Sequence, residues 1–450
     1  MLRINIVRGN WTAMRLAAAL AVCLTTLAKG DDAVTPTDRL TITGVTKSGP
    51  TLVQPAESTE GQTCRYGLGF VFQIGPHTAA VAVNVRTVGV GHWDFENGSD
   101  IVVFDDLASV AARAPIVCAR NAIDINPETG KRRVAVHYPV TPGFWPLGAK
   151  RGDGTEHPAA GTGFGVSQVL HFDLNDEGFF KWDDRFEQSW CVYQFAWDGV
   201  TFSVTEAELG APDDPVLIGD GPWRVVGPGI TCAIPDGEDL LYPVLASDGR
   251  RNVSGVTRWC SGSGGWRPVV FYGISGGYEP SLVRDADGAL LYTARDGDGN
   301  GNSVRVWRST DAGENWCEVL HDPKLRSNAP MVLNRAADGT PYLAANHPKG
   351  FRNISAIWPL SAERNRFQLP VITRDCDADF GPPPGKTSWF ADHPVGAVVR
   401  LRDGQWHSVL CYRVMAFSTE GVGGETLTPQ TGCYLEEVLS TGSARAAWEF

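Results

Sequence analysis

The chain has 450 residues, 51 acidic against 39 basic side chains and a formal net charge of −12, with 43% hydrophobic and 20% charged residues. That composition packs a core and excludes wholesale disorder. A surface of that sign repels phosphate backbones and sets nucleic acid aside as a partner. Fifty-one Gly and 29 Pro beside 15 Trp and four Met point to many short strands and turns rather than long helices.

In chain order, the first feature is a secretory-type leader. Arg3, Arg8 and Arg15 precede an apolar run from Leu16 to Ala28, with Thr26-Leu27-Ala28 as a small-residue cleavage site. The run is shorter than the roughly 20 apolar residues of a membrane span, and no other stretch reaches that length, so no stable span is expected. Residues 1–28 are read as a signal peptide and 29–450 as the mature chain, secreted or periplasmic. Removal of the leader takes Cys23 and leaves nine cysteines, an odd number that leaves at least one thiol unpaired even where disulfides form. Cys411 and Cys433 lie on consecutive strand-like segments and are placed to pair. No Cys/His cluster has zinc spacing, so no metal is expected.

Gly69–Phe72, Ala80–Val83 and Ile101–Phe104 read as strands, but the N-terminal third is irregular. About residues 35–120 form either a separate β-sandwich or the first blades of a repeat. Lys150 to His157, followed by the Gly-rich run 161–165, is a polar loop of the kind that lines pockets or lies solvated. The repeat itself is clear further on. Asp236-Gly237, Asp287-Gly288, Asp338-Gly339 and Asp403-Gly404 each precede an apolar strand, at spacings of 51, 51 and 65. Asp-Gly suits a tight hairpin that needs φ > 0. In step with it, Arg258 is followed by Trp266 and Arg308 by Trp316. Four strands per roughly 50 residues make a propeller blade, and about six fill the chain. Asp296–Asn302 alternates oxygen ligands like a calcium loop, yet Trp307 stands where a bidentate Glu belongs. A hairpin tip is the expectation there, with no cofactor, and calcium the lesser alternative.

Ser309-Thr310-Asp311-Ala312-Gly313-Glu314-Asn315-Trp316 matches Ser-x-Asp-x-Gly-x-x-Trp, and this resembles the Asp box (BNR repeat) of the sialidase, or neuraminidase, propellers. Three further segments are similar to that family in order and spacing over about 130 residues. They are Gly227-Pro228-Gly229 to Tyr242-Pro243, Tyr278-Glu279-Pro280 with Arg295, and Asn346-His347-Pro348 with Arg352. The resemblance implies an all-β, six-bladed β-propeller of the sialidase type. It implies a glycosidase whose arginines clamp a substrate carboxylate, with Arg295 and Arg352 in that role and Glu279 beside a nucleophile. Arg65 is the candidate for the first arginine and Asp94 for the acid/base. Arginine suits the task by its planar, permanently charged fork. No Tyr lies between Tyr342 and Tyr412, where the family carries its nucleophile; Asp392-His393 occupies that neighbourhood, with His393 as acid or base and Asp392 orienting it. The expectation is an exported carbohydrate-active enzyme, a sialidase-like hydrolase of an acidic glycan. Two alternatives stay open: a uronate polysaccharide lyase using His393 or His157, and a sugar-binding propeller without catalysis.

Overall fold

The computed structural model describes residues 42–440 apart from 54–62, 89–95, 110, 177–184, 208–215, 219–220, 263–264, 296–302, 327–328 and 419–424. The leader, Asp94 and the Asp296–Asn302 loop lie outside the described residues. Six antiparallel sheets follow one another along the chain and stand around one axis, as blades I to VI. Blade I runs Thr63–Gln73, Ala79–Val88 and Glu96–Asp106, with Ile116–Arg120 at its edge. The described strands from Thr63 to Arg120 thus lie in one sheet, and Ile42–Val45 lies in another. In blade II the inner course is broken into Arg132–His137 and Thr141–Trp145, both paired with Thr162–Asp173, and Arg185–Trp197 and Phe202–Ala207 follow. Blade III uses Gly221–Pro228 and Ile234–Asp236 against Asp239–Ser247, then Asn252–Gly262 and Gly265–Ser275.

Blades IV and V are regular four-strand meanders. The first runs Tyr278–Arg284, Leu290–Arg295, Ser303–Ser309 and Cys317–Arg326; the second runs Val332–Arg335, Pro341–Asn346, Ile354–Pro359 and Val371–Asp375. Blade VI orders Thr387–Arg400, Trp406–Ser418 and Gly432–Ser440, and its outer strand is Ile42–Val45 from the other end of the chain. That borrowed strand closes the ring, so the sheets at the two ends of the sequence cannot separate without breaking backbone pairs.

Consecutive side chains of each strand face opposite neighbours, and both faces are buried, so the strands read as continuous apolar runs. Leu290 and Tyr292 pack toward blade III while Leu291 packs toward blade V. Six apolar cores result, one in each seam between blades. Cys411 and Cys433 sit in the seam that joins VI to I, sulfurs 3.4 Å apart, and all nine described cysteines are thiols.

The repeated Asp-Gly pairs all fall on the same structural feature, the turn between a blade's inner strand and its second. Gly237, Gly288, Gly339 and Gly404 have φ of 63°, 89°, 91° and 78°, in the region that glycine tolerates. The aspartates accept backbone N–H groups two residues on: Ala289 N to Asp287 at 3.1 Å, Thr340 N to Asp338 at 2.8 Å, Gln405 N to Asp403 at 2.9 Å. The Asp box turns at this same end of the molecule. Asp311 accepts from Ser309 Oγ (2.7 Å) and Asn315 N (3.0 Å), and Trp316 Nε1 donates to Gly313 O (2.7 Å) while its ring meets Tyr292. One end of the axis is therefore built of tight turns, and the other carries the starts of the inner strands.

Candidate functional site

That other end carries Glu279, Arg295, Arg352, Asp392 and His393. In blades IV and VI the inner strand carries the same device. Glu279 precedes Pro280 and His393 precedes Pro394, and each stands in the left-handed region, with φ of 51° and 56°. Both fall in an irregularity of the sheet, between Tyr278 and Ser281 in one strand and between Asp392 and Val395 in the other. Non-glycine residues adopt this conformation at a cost of about 1–2 kcal/mol, and such strain concentrates where a side chain must be aimed. Two blades thus present a polar side chain from equivalent, strained positions.

In blade IV, Arg295 ends the second strand opposite Tyr278. Its Nη1 donates to Glu279 Oε2 at 3.0 Å and its guanidinium lies 4.9 Å from the centre of the Tyr278 ring. Both partners are partly exposed, so the arginine is braced on two sides while its edge reaches solvent.

Blades V and VI build a tighter group. Asp392 is fully buried, and two arginines and a histidine surround its carboxylate. Arg413 Nε donates to Oδ1 at 2.6 Å, His393 Nδ1 lies 2.9 Å from the same oxygen, and Arg352 Nη1 donates to Oδ2 at 3.1 Å. Burial by itself would raise the Asp392 pKa. The charges of Arg413, His393 and Arg352 override burial and hold the carboxyl well below the usual range. With both oxygens engaged, Asp392 is a fixed carboxylate that orients its neighbours. It holds His393 through Nδ1, and Nε2 has no hydrogen-bond partner among the described residues. Arg352 is further fixed through its loop: the buried Asn346 donates from Nδ2 to Arg352 O (3.1 Å), Ile354 O (3.2 Å) and Ala391 O (2.8 Å). Phe390 lies under the Arg352 guanidinium.

Of the residues expected from the sequence, the structure brings Glu279 to Arg295, and Arg352 to Asp392 and His393. Arg65 starts the inner strand of blade I at the same end, but its Nη1 donates to Cys64 O at 2.8 Å. His157 is elsewhere. It stacks on Trp145 and its Nε2 meets Gly237 O at 2.9 Å, at the turn-bearing end, where it supports packing. The sequence reading missed Arg413, a lone charge inside the apolar strand Leu410-Cys-Tyr-Arg-Val-Met; a charge in such a run needs a buried counter-ion, and that was its signal. It also missed a group in blade I, where Tyr66 donates to the buried Asp100 (2.7 Å) and Arg120 pairs with that carboxylate (2.7 Å). No group of three or more His, Cys, Asp or Glu is arranged to hold a metal among the described residues.

No family profile matches this sequence, and no curated protein does. Similarity appears in solved structures. A protein of unknown function from Dyadobacter fermentans is 13% identical with a TM-score of 0.52, over 88% of this chain and 100% of that one. The NanB sialidase of Streptococcus pneumoniae, as a point variant, is 11% identical with a TM-score of 0.44, over 88% of this chain and 70% of that one. An α-L-arabinanase of Penicillium chrysogenum is 9% identical with a TM-score of 0.43, over 88% of this chain and 98% of that one. At these identities the likeness is one of fold: an all-β propeller of six blades.

Proposed function

We propose that the protein is an exported carbohydrate-active enzyme that cleaves a glycosidic bond in an acidic glycan, at the end of the axis that carries Glu279, Arg295, Arg352, Asp392 and His393. The observation that carries the reading is the Arg352–Asp392–His393–Arg413 cluster, in which a buried carboxylate fixes an arginine and a histidine at a strained, aimed position. Arg295 and Arg352 bind the substrate carboxylate through their planar forks. His393 exchanges a proton through Nε2, while Asp392 on Nδ1 sets the tautomer and stabilises the imidazolium. Glu279 keeps Arg295 in place and supplies the one carboxylate that stabilises the oxocarbenium-like transition state, with His393 as acid/base.

One observation favours a second reading. Asp392 has both oxygens occupied by cations, so Glu279, itself paired, is the carboxylate left for hydrolysis. β-Elimination uses arginines beside a histidine: the clamp neutralises a uronate carboxylate, His393 removes the proton on the adjacent carbon, and the C–O bond on the next carbon breaks as the glycosidic oxygen leaves and takes a proton from solvent. A panel of sialylated and uronate-containing glycans separates the two. New reducing ends without absorbance near 235 nm mark hydrolysis, and rising absorbance there marks elimination. His393→Gln should lower either signal by about 100-fold or more without unfolding the chain. No turnover on any acidic glycan, with wild type fully folded, would overturn the enzymatic reading and leave a binding propeller.

A further inference from the structure

A cavity of about 980 Å³ opens on the axis at the turn-bearing end, away from these arginines, and reaches in as far as Val71, Leu282, Leu333 and Gly396. Its volume is at the upper end of the range for small-molecule sites. The polar loop after Trp145 forms part of its wall, through Gly148 to Arg151. The mouth is cationic, although the whole chain is acidic: Lys150, Arg151, Arg284, Arg335 and Arg400 line it, against one carboxylate, Asp285.

The nearby acids are already engaged. Arg364 grips Asp285 with two donors at 2.7 and 2.8 Å, Arg284 pairs with Asp236 at 2.9 Å, and Arg151 pairs with Glu238. Arg335 is buried and donates to Arg284 O at 2.7 Å; burial works against its charge and Asp285 offsets part of that. Lys150 and Arg400 are exposed at the rim. Phe72, Phe144, Leu147 and Trp406 supply apolar surface between the charges. Cations that outnumber carboxylates around a deep, partly aromatic hollow suit a ligand with anionic groups on an amphipathic frame.

We infer that this cavity is a second binding site, for an oligosaccharide that carries carboxylate or sulfate groups, on the face of the propeller opposite the proposed catalytic end. Sugar rings lie on the aromatic wall, and their acidic groups meet Arg335, Arg400 and Lys150. The site is independent of catalysis: it persists if the protein cleaves nothing.

Calorimetric titration with a galacturonate tetrasaccharide, the matching galactose tetrasaccharide and inorganic sulfate tests it. The uronate chain should bind more tightly than either control. The double substitution Lys150→Glu with Arg400→Glu, both at exposed positions, should weaken that binding by about tenfold or more. Arg295→Lys, at the far end, should leave the sites on this face unchanged. A single uronate site that is lost in Arg295→Lys and kept in the rim double would overturn the inference, as would sulfate binding equal to that of the tetrasaccharide or no binding at all. Equal unfolding midpoints for the rim double and wild type ensure that the loss is read from the cavity.

Discussion

Asp392→Asn is the substitution with the largest effect that the geometry dictates. The wild-type carboxylate is completely buried and is shared among Arg413, His393 and Arg352. The amide keeps the shape and removes the charge, leaving the buried Arg413 guanidinium without its counter-ion. Breaking one side of a buried pair costs about 3–5 kcal/mol. In a chain of this size that lowers the melting midpoint by about 5 °C, and differential scanning calorimetry at pH 7 measures it. The acid limb gives an independent reading. Folded Asp392 gives up its proton at lower pH than the unfolded residue, so its stabilisation is fully present above roughly pH 4, where a free Asp titrates, and is lost as pH falls below that toward the depressed value. Asp392→Asn should remove that part of the acid limb while lowering stability at neutral pH. Arg413→Met combined with Asp392→Asn should cost less than the two singles summed, because neither charge is then stranded. A variant that melts with wild type at pH 7 and keeps its acid limb would refute the claim that Arg413, Arg352 and the contact with His393 hold this carboxylate ionised.

Asp311→Ala removes the acceptor of the Ser309, Asn315 N and Asn315 Nδ2 hydrogen bonds; it should cost about 1–3 kcal/mol in thermal unfolding and leave turnover per folded molecule unchanged. Arg374→Met cuts a buried latch in which Arg374 binds Glu436, the Tyr412 hydroxyl (2.9 Å) and Ser48 O (3.0 Å); because these tie blades V and VI to the chain beside the borrowed strand, a loss of about 3–5 kcal/mol and faster hydrogen exchange in Ile42–Val45 are expected. His393→Gln should lower kcat by about 100-fold or more with little change in melting, and an unchanged pH–rate profile would remove His393 from the proton transfer.

The parts of the fold that were legible came from residues under a backbone constraint. Asp-Gly at a 51-residue spacing marked the inner turns of blades III, IV and V because only a few sequences tolerate φ > 0 in a tight hairpin. The same chemistry misses blades I and II. Blade I turns through Ile74-Gly75-Pro76-His77-Thr78, and blade II runs a long loop from Trp145 to Thr162, so no Asp-Gly register is there to be read. Asp198-Gly199 repeats the motif on an outer hairpin, between Arg185–Trp197 and Phe202–Ala207, and so breaks step. Glu279 with Arg295 was readable because they are cross-strand neighbours around one turn. Asp392 and Arg413 also face each other around one turn, but the irregularity between Asp392 and Val395 shifts the register there, and Tyr66, Asp100 and Arg120 sit on three different strands of blade I. Such pairings depend on sheet register, which one sequence does not state. Nor does the sequence show that the loop after Trp145 faces the turn-bearing end, away from the arginines.

The measurement that bears most directly on the carboxylate clamp is the affinity of Arg295→Lys for an acidic glycan set against a neutral glycan of the same backbone. Lysine keeps the charge and loses the fork that Glu279 and Tyr278 brace. Affinity for the acidic glycan should fall by roughly two orders of magnitude, and affinity for the neutral one should barely change. Equal losses for both ligands would mean that Arg295 holds blade IV together and does not hold the substrate.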